Sequence, residues 1–176
     1  IAAAVVIAQK LGSAALDVAV KFDRIEKAME TVFGSTGQAA KEMDFLKKVT
    51  DDLGLSLSGS ADGFIKVAAA SKGTSLEGQG VKDIFTGVAQ ASTALALSSE
   101  QSKGALLAIS QIMSKGKVQA EELRGQLGER IPGAFQIAAR AMGVTTSALD
   151  KMLERGELLS EDFLPKFAAQ LKTEFA

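Results

Sequence analysis

Residues 81–116 read VKDIFTGVAQASTALALSSEQSKGALLAISQIMSKG, and this stretch decides the fold. Ile84, Phe85, Val88, Leu95 and Leu97 alternate with small residues at helical intervals, and the pattern restarts after Ser98 with Leu106, Leu107, Ile109, Ile112 and Met113. Ser98 and Gln101 stand at capping-box spacing, where a hydroxyl accepts an orphan backbone N–H and the amide reaches back. Lys115-Gly116 supplies the stop. Two helices are expected here, one over 81–97 and one from Ser98, folded as an αα-hairpin.

The same grammar extends in both directions. Over 2–33, Val6, Leu11, Leu16, Val20, Phe22, Ile25, Met29, Val32 and Phe33 predict one long amphipathic helix that Gly12 could bend. The apolar run 1–8 stands at its start, and we read it as the cut end of a longer helix. Ser35 and Gln38 have cap spacing before a helix reaching Leu53, with Met43, Leu46 and Val49 on its apolar side. A short helix over 60–71 is expected next, then a turn in which Thr74 and Glu77 repeat the cap spacing. Shorter helices follow over 119–127, 131–142, 145–153 and 160–175. Pro132 suits a first turn, whereas Pro165 should distort the last helix so that its regular part begins near Leu164. The fold class is therefore all-α, with a long N-terminal helix over 1–34 and a compact bundle of shorter helices over 35–176.

Composition supports this and narrows function. Alanine dominates the apolar content, Tyr and Trp are absent, and nine Phe supply the aromatic bulk, a helical rather than a strand-forming diet. Without His or Cys the chain lacks an imidazole base, a thiol nucleophile and the soft ligands of structural zinc. With 20 basic and 21 acidic residues its formal charge is -1, which argues against a strongly electrostatic nucleic-acid footprint. The run 1–8 is far short of the roughly 20 residues that span a bilayer.

Adjacent acids at Asp51-Asp52, Glu121-Glu122 and Glu161-Asp162 read as helix-dipole complements, because sequence neighbours on a helix point in different directions. Gly78-x-Gly80 and Gly125-x-x-Gly128 lack the strand context of a dinucleotide loop and serve turns and close packing. One internal echo stands out: residues 115–123 match 155–163, forty positions later, as basic residue, Gly, charge, apolar anchor, then two acids and an apolar residue. It describes a glycine exit from one helix and an acid-rich start of the next.

The stretch with most individual character is GKVQAEELRGQLGERIPGAF over 116–135, followed by Ile137, Ala138, Ala139, Arg140, Ala141, Met142, Gly143 and Val144. It resembles the characteristic segment of the N-terminal-region domain of tape measure proteins from tailed phages and prophages. The similarity continues through 149–153 and Gly156-x-Leu158 to Asp162-Phe163-Leu164-Pro165. The family pattern falls on Glu122, Leu123, Arg124, Gln126, Leu127, Gly128, Pro132, Gly133, Ala139, Gly143, Gly156, Leu164 and Pro165. These are expected to be structural: Leu123, Leu127, Phe135, Met142, Leu149 and Met152 in core seams, glycines at helix exits, Arg124 with Gly128 near a helix C-terminus, and Arg130 paired with Gln126 or Glu129.

The resemblance implies a tail-assembly protein that occupies the tube, sets its length and leaves it at DNA ejection. It implies residence in the virion tail after assembly in the bacterial host cytoplasm, with tail-tube, tail-tip or baseplate and assembly-chaperone proteins as partners. Self-association and host-membrane contact stay open as further partners. No catalytic, metal or cofactor site and no sequence-specific nucleic-acid binding are expected. The alternatives are a membrane-active helical segment acting in genome delivery and a general helical binding or scaffold module.

Overall fold

A computed structural model describes the backbone from Ala2 to Ala176 and the side chains from Ala15 onward. It is all-α, with α1 Ala2–Phe33, α2 Thr36–Leu53, α3 Leu57–Ala70, α4 Gln79–Ala94, α5 Ser99–Lys115, a π-helix Glu121–Leu127, α6 Ala134–Met142, α7 Thr146–Glu154 and α8 Ser160–Phe175. Among the described residues no strand forms. The chain divides into two compact units, Ile1–Asp44 and Phe45–Ala176.

In the first unit, Ile25, Met29, Ala39 and Met43 are buried. Leu16 and Val20, expected on the packed stripe, are instead 67% and 47% exposed. Each lies nine residues before Ile25 or Met29, and nine steps of 100° turn a side chain to the opposite face. The readings on Val6, Leu11, Gly12 and the run 1–8 fall outside the described side chains. Ser35 accepts the Gln38 N–H at 3.2 Å, but the Gln38 amide turns forward to Glu42 at 2.7 Å, so half of the expected capping box forms.

The second unit is built on close helix pairs: α4 on α8, α3 on α5, α6 on α8 and the π-helix on α5. Glycine makes two of these approaches feasible. A Cβ on Gly87 would stand 2.8 Å from the Ala168 carbonyl, and one on Gly63 would strike Leu106. Bulk comes from phenylalanine: Phe45, Phe64 and Phe85 cluster with centroids 5.3–6.2 Å apart, and Phe163 stacks on Phe167 at 5.1 Å. The α4–α5 hairpin is a minor contact, because α4 spends its glycine face on α8 while α5 lies chiefly on α3.

Local chemistry sets the boundaries. Ser98 and Gln101 form the full reciprocal box at the start of α5, and Gly116 closes it at φ 74°. Helix α3 begins three residues earlier than expected, because Ser56 rather than Ser60 caps it by accepting the Gly59 N–H. The Thr74–Glu77 pair starts no helix: Thr74 Oγ1 accepts from Leu76 N and Glu77 from Gly73 N, which holds a turn before Gly78 opens α4. Helix α6 begins at Ala134, so Pro132 lies in the preceding turn instead of the first helical one. Helix α8 runs from Ser160 straight through Pro165, correcting the expected start near Leu164.

Candidate functional site

The family-motif residues occupy one continuous path from the end of α5 to the middle of α8. After Gly116 the chain makes an antiparallel bridge between Lys117 and Leu159; Val118 N donates to the Leu158 carbonyl at 2.8 Å and Ser160 N to the Gly116 carbonyl at 3.0 Å. Val118 and Leu158 are both buried, so the two echoed connectors anchor each other.

The next element is a π-helix and not the expected α-helix over 119–127. Its wide turn is closed by the Gly128 N–H donating five residues back to the Leu123 carbonyl at 3.1 Å. Gly128 is required there, since a Cβ would meet the Arg124 carbonyl oxygen at 2.2 Å. Leu123 and Leu127 are wholly buried. So is Glu122, at 1% exposure; its Oε1 pairs with the Lys115 ammonium, while Oε2 has no hydrogen-bond partner. Lys115 also donates to Gln119 at 3.0 Å, and the Glu122 hydrogen bond holds its pKa above the ordinary lysine value.

Arg124 lies in the last turn of the π-helix, with Gly128 just beyond it. Its guanidinium covers the Phe135 ring at 3.6 Å from the centroid and donates from Nε and Nη2 to Asp150 Oδ1 at 3.2 and 2.5 Å, tying the π-helix to α6 and α7. Arg130 donates to the Gln126 carbonyl at 2.7 Å, and its carboxylate neighbour Glu129 stands 3.8 Å away. The Arg130 side chain crosses Gly104 of α5, where a Cβ would meet its Nε at 1.9 Å. Sequence reasoning missed both Asp150 and Gly104; an unexplained glycine in the middle of a periodic helix was the available signal.

The remaining motif positions complete the scaffold. Pro132 and Gly133 are exposed in a turn, with Gly133 at φ 77°, and Ala139 is buried in α6. Gly143 and Gly156, at φ 67° and 65°, end α6 and the turn after α7. Leu164 is fully buried while Pro165 faces solvent. Phe135 and Leu149 are core residues as expected, whereas Met142 and Met152 are half-buried. At the end of α8, Arg140 grips Glu174 through two 2.7 Å hydrogen bonds, holding that carboxyl below the ordinary range.

The motif residues join the π-helix, α6 and α7 through burial and side-chain contacts. A cleft beside Pro165, lined by Gly80, Asp83, Ala169 and Lys172, is crossed by the 2.6 Å Asp83–Lys172 ion pair. Among the described residues no group of acids is placed to hold a metal ion, and no helix is long and apolar enough to cross a membrane.

Comparison with known proteins places this architecture. The family described as tape measure protein matches residues 13–176. The probable tape measure protein of Salmonella phage Felix O1 is 33% identical over 162 residues, which cover 92% of this chain and 21% of that protein. The chain thus spans about a fifth of its relative's length. No solved structure matches. A family match over nearly the whole chain and a relative of this similarity lead to one assignment: the chain belongs to the tape measure protein family, structural proteins of phage tails.

Proposed function

We propose that this region is a folded docking module of a tape measure protein, used when the tail is assembled or terminated, while longer helices elsewhere in the protein supply the reach that sets tube length. The carrying observation is the compaction of Phe45–Ala176. A straight helix advances about 1.5 Å per residue, so these residues, about 130 of them, would extend about 200 Å as one rod. The longest helix of the unit, α5, has 17 residues and reaches only about 26 Å. A segment that folds back on itself in this way stores little length and presents a shaped surface.

The role is taken as non-catalytic, in keeping with a chain that has no His and no Cys to serve as base or thiol nucleophile. Occupancy of the tube before ejection, assembly in the host cytoplasm, and tube, tip and chaperone partners belong to the same reading. In-frame removal of residues 45–176 from the phage protein tests it. Tails should fail to assemble or to terminate. Intact tails shortened by about 200 Å, the rod equivalent, would show that the segment acts as ruler and overturn the docking role.

A further inference from the structure

Among the described residues Ala96, at φ 50°, is the one non-glycine residue with a positive φ. It stands at the exit of α4. There Ala96 N donates to the Thr93 carbonyl at 3.1 Å and Leu97 N to the Ser92 carbonyl at 2.8 Å, the paired bonds of a helix stop that usually takes glycine at this position. The left-handed conformation sets an alanine back by roughly a factor of 5–30 relative to the right-handed helix. Nothing local asks for the stop: residues 88–103 contain neither Gly nor Pro, and Leu95, Ala96 and Leu97 are among the stronger helix formers.

The apolar face also runs through the stop without a change of phase. Ile84, Val88 and Leu95 before it and Ala105, Ile109 and Ile112 after it lie on one series of alternating three- and four-residue steps, which small residues complete at 91, 98 and 102. Two helices joined by a bend have no need to share a phase. The bend is held from outside: α4 by Gly87 against Ala168 of α8, α5 by Leu106 against Gly63 of α3, while α4 and α5 touch each other little.

We propose that the α4–α5 connection is a conformational switch, bent while α8 holds α4 and straightening into one helix over 79–115 when α4 is released. Straightening returns Ala96 to the right-handed region and joins both elements into a helix of about 55 Å. It gives up the Ser98–Gln101 capping box and the burial of α4 against α8, so the compact form prevails in the undisturbed chain. The switch is a property of the folded chain alone and holds whether or not the unit docks; its failure would leave the docking role standing.

Spin labels at Q79C and S114C, both exposed positions of a 176-residue chain without cysteine of its own, read the two forms. One continuous helix puts the labelled positions about 50 Å apart at roughly 1.5 Å per residue, and the bent form is shorter. Combining S98A, which removes a cap only the bent form uses, with G87A, which parts α4 from α8, should bring up this long distance in double electron–electron resonance with the helical circular dichroism retained. In that background A96G, which favours the stop over the helix, should cut the long population about 5-fold. S99P should abolish it, because proline suits the first position of α5, directly after residue 98 at ψ 159°, but interrupts a continuous helix. No long distance in the S98A/G87A variant, loss of helicity in its place, or a long distance that survives S99P would overturn the switch.

Discussion

Gly87→Ala tests the close approach of α4 to the backbone of α8 in the second unit. Its new methyl would lie 2.8 Å from the Ala168 carbonyl oxygen, 3.3 Å from Ala168 Cα and 3.4 Å from Leu171 Cβ. Relaxed contacts between heavy atoms sit at roughly 3.5–4.0 Å, so α4 and α8 must part by about half an ångström or more. The obstacle is backbone, and no rotamer change relieves it. Overpacking of this kind costs about 1–3 kcal/mol, while exchanging Gly for Ala inside a helix returns about 1 kcal/mol. Against unyielding backbone the upper part of that range, about 2–3 kcal/mol, applies, so the expected net destabilisation is about 1–2 kcal/mol, or a melting point lowered by about 2–8 °C for a chain of this size. Circular dichroism at the helical band, followed through thermal and urea unfolding, reads it. Gly37→Ala in α2 is the control, because nothing lies within 4 Å of its added methyl and stability there should hold or rise by up to about 1 kcal/mol. A Gly87 variant as stable as the parent would refute the close-contact argument.

Ser98→Ala removes a complete capping box and should cost about 1 kcal/mol by urea denaturation, more than Ser35→Ala, where only half of the box forms. Lys115→Met strands the buried Glu122 carboxylate and should destabilise strongly, and adding Glu122→Leu should recover most of the loss; no recovery in the double variant contradicts a buried ion pair. Because Arg140 depresses the Glu174 pKa, that stabilisation is complete above the unfolded value near 4.3 and is lost as pH falls through the lower folded value. Glu174→Gln should therefore lower stability at neutral pH and flatten its dependence below about pH 4.5, with an unchanged acid limb as the contrary result. Pro165→Ala should stabilise α8 by about 1–3 kcal/mol, since proline inside a helix forfeits the bond to Glu161 and crowds its carbonyl; a loss of thermal stability would show that the ring packs usefully.

Much of the helical architecture was legible because its signals are local. Ser98, Gln101 and Gly116 mark their helix ends within four residues of the groups they satisfy, and the structure returns all three. What escaped depended on distance. The start of α3 was expected at Ser60 from its apolar stripe, and the cap that Ser56 provides by accepting the Gly59 N–H sets it three residues earlier. The wide turn over 121–127 shares its apolar spacing with an α-helix, so nothing local distinguishes the two; Gly128 allows it by leaving room for the Arg124 carbonyl. Glu122 looks like any first-turn acid until Lys115 is seen to cover it. Arg124 likewise has no reason in sequence to choose Phe135 and Asp150, the latter 26 positions away. Among the motif residues the hydrophobic ones were readable as core and the polar ones were not, because their partners come from other helices.

The forty-residue echo acquires its physical meaning from the same distinction. Shifting by forty positions maps Val118 onto Leu158, and these are the two residues joined by the 2.8 Å bond across the antiparallel bridge. The two hydrogen bonds of the bridge, Val118 N to Leu158 O and Ser160 N to Gly116 O, exchange about the Lys117–Leu159 pair, so the pairing runs two positions out of step with the forty-residue repeat. Each copy exits a helix at a glycine of positive φ, buries its apolar anchor and starts a helix whose first turn carries a fully buried residue, Leu123 or Phe163. A repeat related by translation propagates and can measure length by copy number. Here the two connectors instead pair with each other, each taking up backbone groups of the other. The echo thus does its work through contact between its two copies: the connector after α5 and the connector before α8 hold each other at one antiparallel bridge with both apolar anchors buried.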